Sequence, residues 1–201
     1  MKILLTAFEP FGGEPVNPAE EILRCIEAPA GAELQKLLLP TAFREAGALL
    51  AETLRRERPD ALLSLGQAAG RAALSLERIG VNLMDASIPD NRGFQPMDEP
   101  VVPGAPAAYF STLPVKKLAA AIREAGVEAA VSNSAGTFVC NSVLYNALHL
   151  AAAELPALRA GFLHVPALPE QAARMKPGTP SLPLADMLRG VEAALAALAA
   201  D

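Results

Sequence analysis

Two kinds of segment alternate along the 201-residue chain, and this alternation restricts its possible folds more than any other feature. Short, almost wholly apolar runs read as strands: KILLTAF (2–8), QKLLLP (35–40), DALLSLG (60–66), AALSLERIGVNL (72–83), EAAVSNS (128–134) and RAGFLHV (159–165). Between them lie helical stretches from about Pro18 to Cys25, near Phe43–Arg58, over Pro114–Ala125, from about Val139, and at the C-terminus. Strands without a polar face are buried on both sides, and joining them through helices makes neighbouring strands parallel. The expected fold is therefore α/β: a single-domain α/β/α sandwich over residues 1–201, its mostly parallel twisted sheet covered by helices on both faces. Prolines in the first turn, after Asn17 and Leu113, mark two helix starts, and Gly126 closes a helix. Residues 84–106, MDASIPDNRGFQPMDEPVVPGAP, hold too many prolines and turn formers for a helix and are expected as a surface loop.

Composition narrows the function classes. An apolar content of 52% and a mean hydropathy of +0.28 supply a substantial core. The net charge of −5, with no basic run longer than Lys116-Lys117, leaves no electrostatic footprint for nucleic acid or an anionic membrane. The apolar run at the N-terminus stops at Glu9 and Pro10, too early for a signal peptide, and Asp186, Arg189 and Glu192 interrupt the alanine-rich C-terminal segment. Cys25 and Cys140 lack the spacing of a disulfide framework and read as free thiols, so a cytoplasmic location is expected. The pattern holds no Cys/His metal cluster and no Walker loop, and Gly12-Gly13 lacks the rest of a dinucleotide fingerprint. Ordinary side chains, with no cofactor, are expected to carry any chemistry.

In open parallel sheets, sites form where strand ends feed into loops. FEPFGGEPVN, GQAAG, SAGTFVC and HVPALP occupy such places, and the third ends in Cys140 where a helix begins. A thiol at a helix N-terminus is favoured as thiolate, whereas one packed in a core is inert. Of the two histidines, His149 lies nine residues further along that helix, an axial rise of about 13 Å, and is out of reach. His164 ends the GFLHV run just before Pro166 and is the imidazole placed to exchange a proton with Cys140. A third group should orient that imidazole. Glu77 shares strand parity with Ile79, Val81 and Leu83, which puts a carboxylate on an apolar face where it needs a partner. The alternatives are an exposed Glu77–Arg78 pair, or Asp90, although an Asp in the SIPDN turn reads first as turn chemistry.

These stretches resemble the pyroglutamyl-peptidase I (pyrrolidone-carboxylate peptidase) family of cysteine peptidases along essentially the whole chain. The resemblance runs through TAFEPFGGEPVNP, GQAAGR, LSLERIGVN, DASIPDNRGFQP, PAAYFSTLPVKKL, SNSAGTFVCNSVLY and GFLHVPALPEQ. It implies Cys140 as nucleophile, His164 as general base and Glu77 as orienting carboxylate. It also implies an apolar pocket for the pyroglutamyl ring on Phe8, Phe11, Thr41, Ile88, Phe138 and Val139, with Gln67 as a polar lining residue. The implied activity is removal of N-terminal pyroglutamate from blocked peptides through a thioester, without metal or organic cofactor, in a homo-oligomer, tetramer or dimer. An aromatic slot suits a compact neutral lactam, and an uncyclised residue would bring its ammonium into that slot unpartnered. One departure stands out: relatives commonly read DARIPDN where this chain reads DASIPDN. Ser87 thus replaces an arginine resembling part of the oxyanion environment, leaving the Cys140 N–H, with Arg71 or Arg92 as stand-ins. On that departure rests the alternative reading, a catalytically weakened lactam-binding paralogue that keeps the pocket.

Overall fold

A computed structural model describes all residues, Met1–Asp201. In chain order the elements are β1 (Lys2–Phe8), α1 (Pro18–Cys25), β2 (Glu33–Leu39), α2 (Phe43–Glu57), β3 (Ala61–Gln67), β4 (Leu74–Glu77) and β5 (Ile79–Val81). They continue with β6 (Ala108–Phe110), α3 (Val115–Glu124), β7 (Ala129–Ser132), α4 (Val139–Ala153), β8 (Arg159–Val165), α5 (Pro169–Ala172) and α6 (Leu184–Ala199). Six strands form one sheet in the order β2-β1-β3-β8-β4-β7, and β5 pairs with β6 in a separate two-stranded ribbon. Four of the five pairings in the large sheet are parallel; β4 runs antiparallel to β8 and carries β7 with it.

Alternation along the strands sends side chains to two separate cores. Ile3, Leu5, Leu63, Leu65, Leu74 and Leu76 pack with α1, α3 and α6 on one face. Leu4, Phe8, Leu62 and Phe162 pack with α2 and α4 on the other. Helix α1 begins where its sequence signal lies: Asn17 Oδ1 accepts from Ala19 N at 3.0 Å and Pro18 occupies the first turn. Gly126 ends α3 at φ +79°, a conformation that favours glycine. Helix α2 lacks a cap from its own flanking residue, Ala42, and takes one from the 84–106 loop, where Asp90 Oδ2 accepts from Phe43 N at 2.9 Å.

Two expectations need correction. The apolar run 72–83 is not one strand. It breaks at Arg78, whose N–H donates to Ser132 O at 2.8 Å, and β5 leaves the sheet to meet β6. Since β7 runs against β8, the SAGTFVC segment does not leave at the sheet edge where β1, β3 and β8 end. The loop 133–138 instead returns the chain to that edge before α4 begins.

Candidate active site

The strand order reverses between β1, which continues to β2 on one side, and β3 on the other, and sites in such sheets gather at this crevice. Phe8 ends β1 and Gln67 ends β3 there, and together with Phe11, Thr41, Phe138 and Cys140 they bound a cavity of about 100 Å³. Its aromatic wall is braced from behind: Phe138 lies 4.9 Å from the Phe11 ring and 5.0 Å, edge on, from the Phe43 ring. Thr41 turns its hydroxyl to Glu9 O at 2.9 Å and so ties the loop after β2 to the loop after β1. A larger hollow of about 290 Å³ between Arg58, Asp60 and Leu158 lies at the opposite ends of β3 and β8.

Gly66 brings thiol and imidazole together. A Cβ at Gly66 would stand 2.9 Å from Cys140 Sγ and 2.8 Å from the Phe162 ring, so only glycine lets the sulfur approach the strand. Gly66 is in register with His164 on β8, and residues in register point to the same face. The imidazole therefore lies about one strand spacing, ~5 Å, from the sulfur's footing. Beyond it, His164 Nδ1 meets Glu77 Oε1 at 2.7 Å, with Glu77 0% and His164 3% exposed. An ionised carboxylate only accepts, so Nδ1 carries the proton and Nε2 is left as a base. Arg71 donates through Nη1 to the same Glu77 oxygen at 2.5 Å and through Nη2 to Ser134 O at 2.9 Å, joining the acid to the loop that precedes Cys140. Glu77 Oε2 is buried without a hydrogen-bond partner in this arrangement, and the Ser132 hydroxyl, in register beside it, donates to Ser134 O at 3.0 Å.

Helix α4 is fixed against β5 by Asn141, whose amide accepts from Val81 N at 2.9 Å and donates to Val81 O at 2.9 Å and Leu83 O at 3.0 Å. This wholly buried residue next to the thiol was not among the expected site residues. Neither was Asn17, which lines the cavity while capping α1. The Asn-Pro signal marked the cap, but only the topology places it at the crevice.

Burial works against charge on both members of the pair. Burial pushes the Cys140 thiol up to about 12, the Glu77 charge adding to it, against the weaker pull of its own backbone N–H and of Arg71. Burial likewise lowers His164, although Glu77 draws it the other way. Burial alone would raise Glu77, but its hydrogen bond and charge interaction with His164, helped by the neighbouring Ser132 hydroxyl and by Arg71, bring it below the usual carboxylate range.

Of the seven expected pocket residues, Phe8, Phe11, Thr41, Gln67 and Phe138 line the cavity, whereas Val139 is buried in the core behind it and Ile88 is 49% exposed outside it. His149 bonds Tyr109 Oη at 3.0 Å, far along α4. Asp90 belongs to its loop, accepting from Arg92 N and Phe94 N at 2.9 Å as well as from Phe43 N. Ser87 is exposed, Arg92 pairs with Glu45 at the surface, and Arg71 is engaged by Glu77. The Cys140 N–H, in the first turn of α4, has no backbone acceptor and is the donor closest to the thiol. No group of three or more His, Cys, Asp or Glu is arranged to hold a metal ion.

A half-buried thiol, an imidazole and a carboxylate converging beside an aromatic cavity in an α/β sandwich define a cysteine hydrolase. The family profile described as "Pyroglutamyl peptidase" matches residues 1–201. The pyrrolidone-carboxylate peptidase of Levilactobacillus brevis is 52% identical over 199 residues, covering 98% of this chain and 97% of the relative. That of Streptomyces coelicolor is 54% identical over 201 residues, covering 98% and 92%. The crystal structure of Bacillus amyloliquefaciens pyroglutamyl peptidase I superposes with a TM-score of 0.93 at 40% identity, covering 100% of this chain and 97% of that one. A mutant pyrrolidone carboxyl peptidase from Pyrococcus furiosus gives 0.93 at 43%, covering 98% of each. This chain belongs to the pyroglutamyl peptidase family. None of these relatives is described as a non-catalytic binding protein, so the weakened-paralogue reading gains no support.

Proposed function

We propose that the protein is a cysteine peptidase that removes an N-terminal pyroglutamyl residue from peptides, with residues 1–201 acting as one catalytic domain. The observation that carries this reading is the 2.7 Å bond between His164 Nδ1 and Glu77 Oε1, set one strand spacing from Cys140 at the mouth of an aromatic cavity. The lactam ring enters the cavity and its exocyclic carbonyl carbon meets Sγ. His164 Nε2 takes the thiol proton as the C–S bond forms. Glu77 stabilises the imidazolium that results. The Cys140 N–H and the α4 dipole face the developing oxyanion. Collapse of the tetrahedral adduct expels the peptide amine, which takes the proton back from His164, and leaves a pyroglutamyl thioester. His164 then deprotonates water to hydrolyse it.

Specificity follows from desolvation. A neutral lactam loses little on entering an apolar slot, whereas an N-terminal glutamine or glutamate would strand its ammonium there at a penalty of several kcal/mol. The direct test is chromophore release from a pyroglutamyl amide beside its glutaminyl and prolyl counterparts. Rapid release from the first alone supports the reading, and equal rates on all three would refute it.

The same reading makes the protein a cytoplasmic homo-oligomer, tetramer or dimer. Free Cys25 and Cys140 suit a reducing compartment, no helix is long and apolar enough to cross a membrane, and Phe110 (69% exposed) and Met97 (80%) offer apolar surface for association. Native mass spectrometry reads the assembly, and a monomer at micromolar concentration would remove that part of the proposal.

A further inference from the structure

The Glu77 carboxylate is held by one oxygen only. Its Oε1 meets both His164 Nδ1, at 2.7 Å, and Arg71 Nη1, whereas Oε2 is buried with no partner. An ionised carboxylate shares its charge between two oxygens, each with room for two donors, so a bare buried Oε2 is costly. The sheet brings a donor close. Strand β4 lies between β8 and β7, and Ser132 on β7 is in register with Glu77, so it flanks the carboxylate from the side opposite His164. Its hydroxyl is near enough to help hold the Glu77 carboxyl below the usual range. Yet its single proton is directed elsewhere: Ser132 Oγ donates to Ser134 O at 3.0 Å and accepts from Ser134 N at 3.3 Å. That carbonyl already has a donor in Arg71 Nη2, at 2.9 Å. A neutral acceptor is thus served twice, while a charged oxygen beside it is not served at all.

Building on the peptidase reading above, we propose that Ser132 is a positioning residue for the catalytic carboxylate: its hydroxyl turns to donate to Glu77 Oε2 and so keeps the carboxylate facing His164 while the imidazolium forms. A hydroxyl hydrogen rotates to suit its acceptors. Turning this one leaves every group partnered. Ser134 O keeps Arg71, Ser134 N keeps a lone pair of Ser132 Oγ, and Oε2 gains a charge-assisted bond, which is the stronger kind. The benefit falls on the chemical step. As His164 Nε2 takes the thiol proton, Glu77 must stay ionised and aligned with Nδ1, and a carboxylate held at both oxygens meets both conditions. Arg71 and Ser132 then form one clasp. Each joins the acid on the sheet to Ser134, on the loop that leads into Cys140, so the carboxylate and the thiol are positioned through the same three residues.

The test measures kcat and KM on a pyroglutamyl amide for Ser132→Ala, alone and in a Glu77→Gln background. Ser132 is half-buried on an edge strand, where loss of one oxygen leaves the core untouched. Ser132→Ala should lower kcat by about 10- to 100-fold, the value of a hydrogen bond to a charged group, with KM within a few-fold. Glu77→Gln replaces the charged Oε2 with a neutral amide group, so removing the hydroxyl there should change kcat by less than about threefold. A hydroxyl that merely braces the Ser134 loop would instead give the same loss in both backgrounds. Ser132→Cys, close in size but a weak donor, serves where the alanine variant does not fold, and it too should lose kcat and keep KM. Wild-type kcat in folded Ser132→Ala or Ser132→Cys, a loss that falls on KM, or an equal loss with and without the Glu77 charge would overturn the inference. Failure of the wild-type protein to hydrolyse the pyroglutamyl amide would strike at the peptidase reading itself.

Discussion

The thiol–imidazole–carboxylate cluster and the aromatic cavity share Cys140, yet they are built by opposite means. His164, Glu77 and Gly66 sit on adjacent strands, and their separations are set by sheet register. Glu77 and His164 are buried, and Arg71 beside them is only partly exposed. Phe11, Thr41 and Phe138 come from loops that hold one another by ring contacts and single hydrogen bonds. A register cannot shift by a fraction of a residue, whereas a loop can move by a few tenths of an ångström. Substitutions in the first region should therefore register in kcat, and those in the second in KM.

The sharpest break between the two comes from the thiol and its base. Cys140→Ser and His164→Ala should each lower kcat by about 10⁴-fold or more with the fold intact, while Cys25→Ser and His149→Ala stay near wild type in steady-state assays. Comparable losses from the two histidine variants would break the geometric distinction, since His149 is bonded to Tyr109 and remote from the site.

Glu77→Gln should follow, with kcat down by about 10³- to 10⁴-fold, and its pH profile sharpens the account. His164 must be neutral to act as base, and burial lowers it from its ordinary value near 6.5. The acid limb of kcat/KM should thus lie below pH 6.5. Glu77 is what holds His164 up, so removing its charge should move that limb further to acid. Stability shares the sign: the unfolded imidazole gains its proton near pH 6.5 and the buried one does not, so this contribution is lost as pH falls below that value. An acid limb above 6.5 would contradict it.

Much of this first region was legible in the sequence, because a histidine ending an apolar strand and a carboxylate of buried parity announce themselves without a fold. What stayed hidden depended on tertiary pairing. The run 72–83 looks like one strand, and nothing local reports that β5 turns away to be clamped by Asn141. The three residues of β6 and four of α5 are too short to carry a period. The pull of burial against the helix end on the Cys140 thiol is a property of the packed protein and has no local signal. In the cavity, aromatic type was readable, but which aromatics face the void was not: Val139 next to Phe138 points into the core, and Phe43, read only as a helix start, is the brace behind Phe138.

On the loop side, Phe138→Ala should raise KM by roughly tenfold to a hundredfold, the value of most of one aromatic's buried area, with kcat changing only a few-fold. A fall confined to kcat would erase the division between the regions. The smallest functional effect is expected at Asp90. Asp90→Ala removes the acceptor of Phe43 N and of the Arg92 and Phe94 amides, so thermal unfolding should show a loss of about 1–3 kcal/mol while kcat/KM remains near normal.

The central claim is that Cys140 attacks the substrate with His164 as its base, and trapping the acyl-enzyme tests it most directly. Rapid acid quenching during turnover of a pyroglutamyl ester, followed by mass spectrometry of the digested protein, should find one pyroglutamyl group on the peptide containing Cys140, and none in Cys140→Ser. An adduct on Cys25, or turnover of the ester by Cys140→Ser at the wild-type rate, would contradict the account.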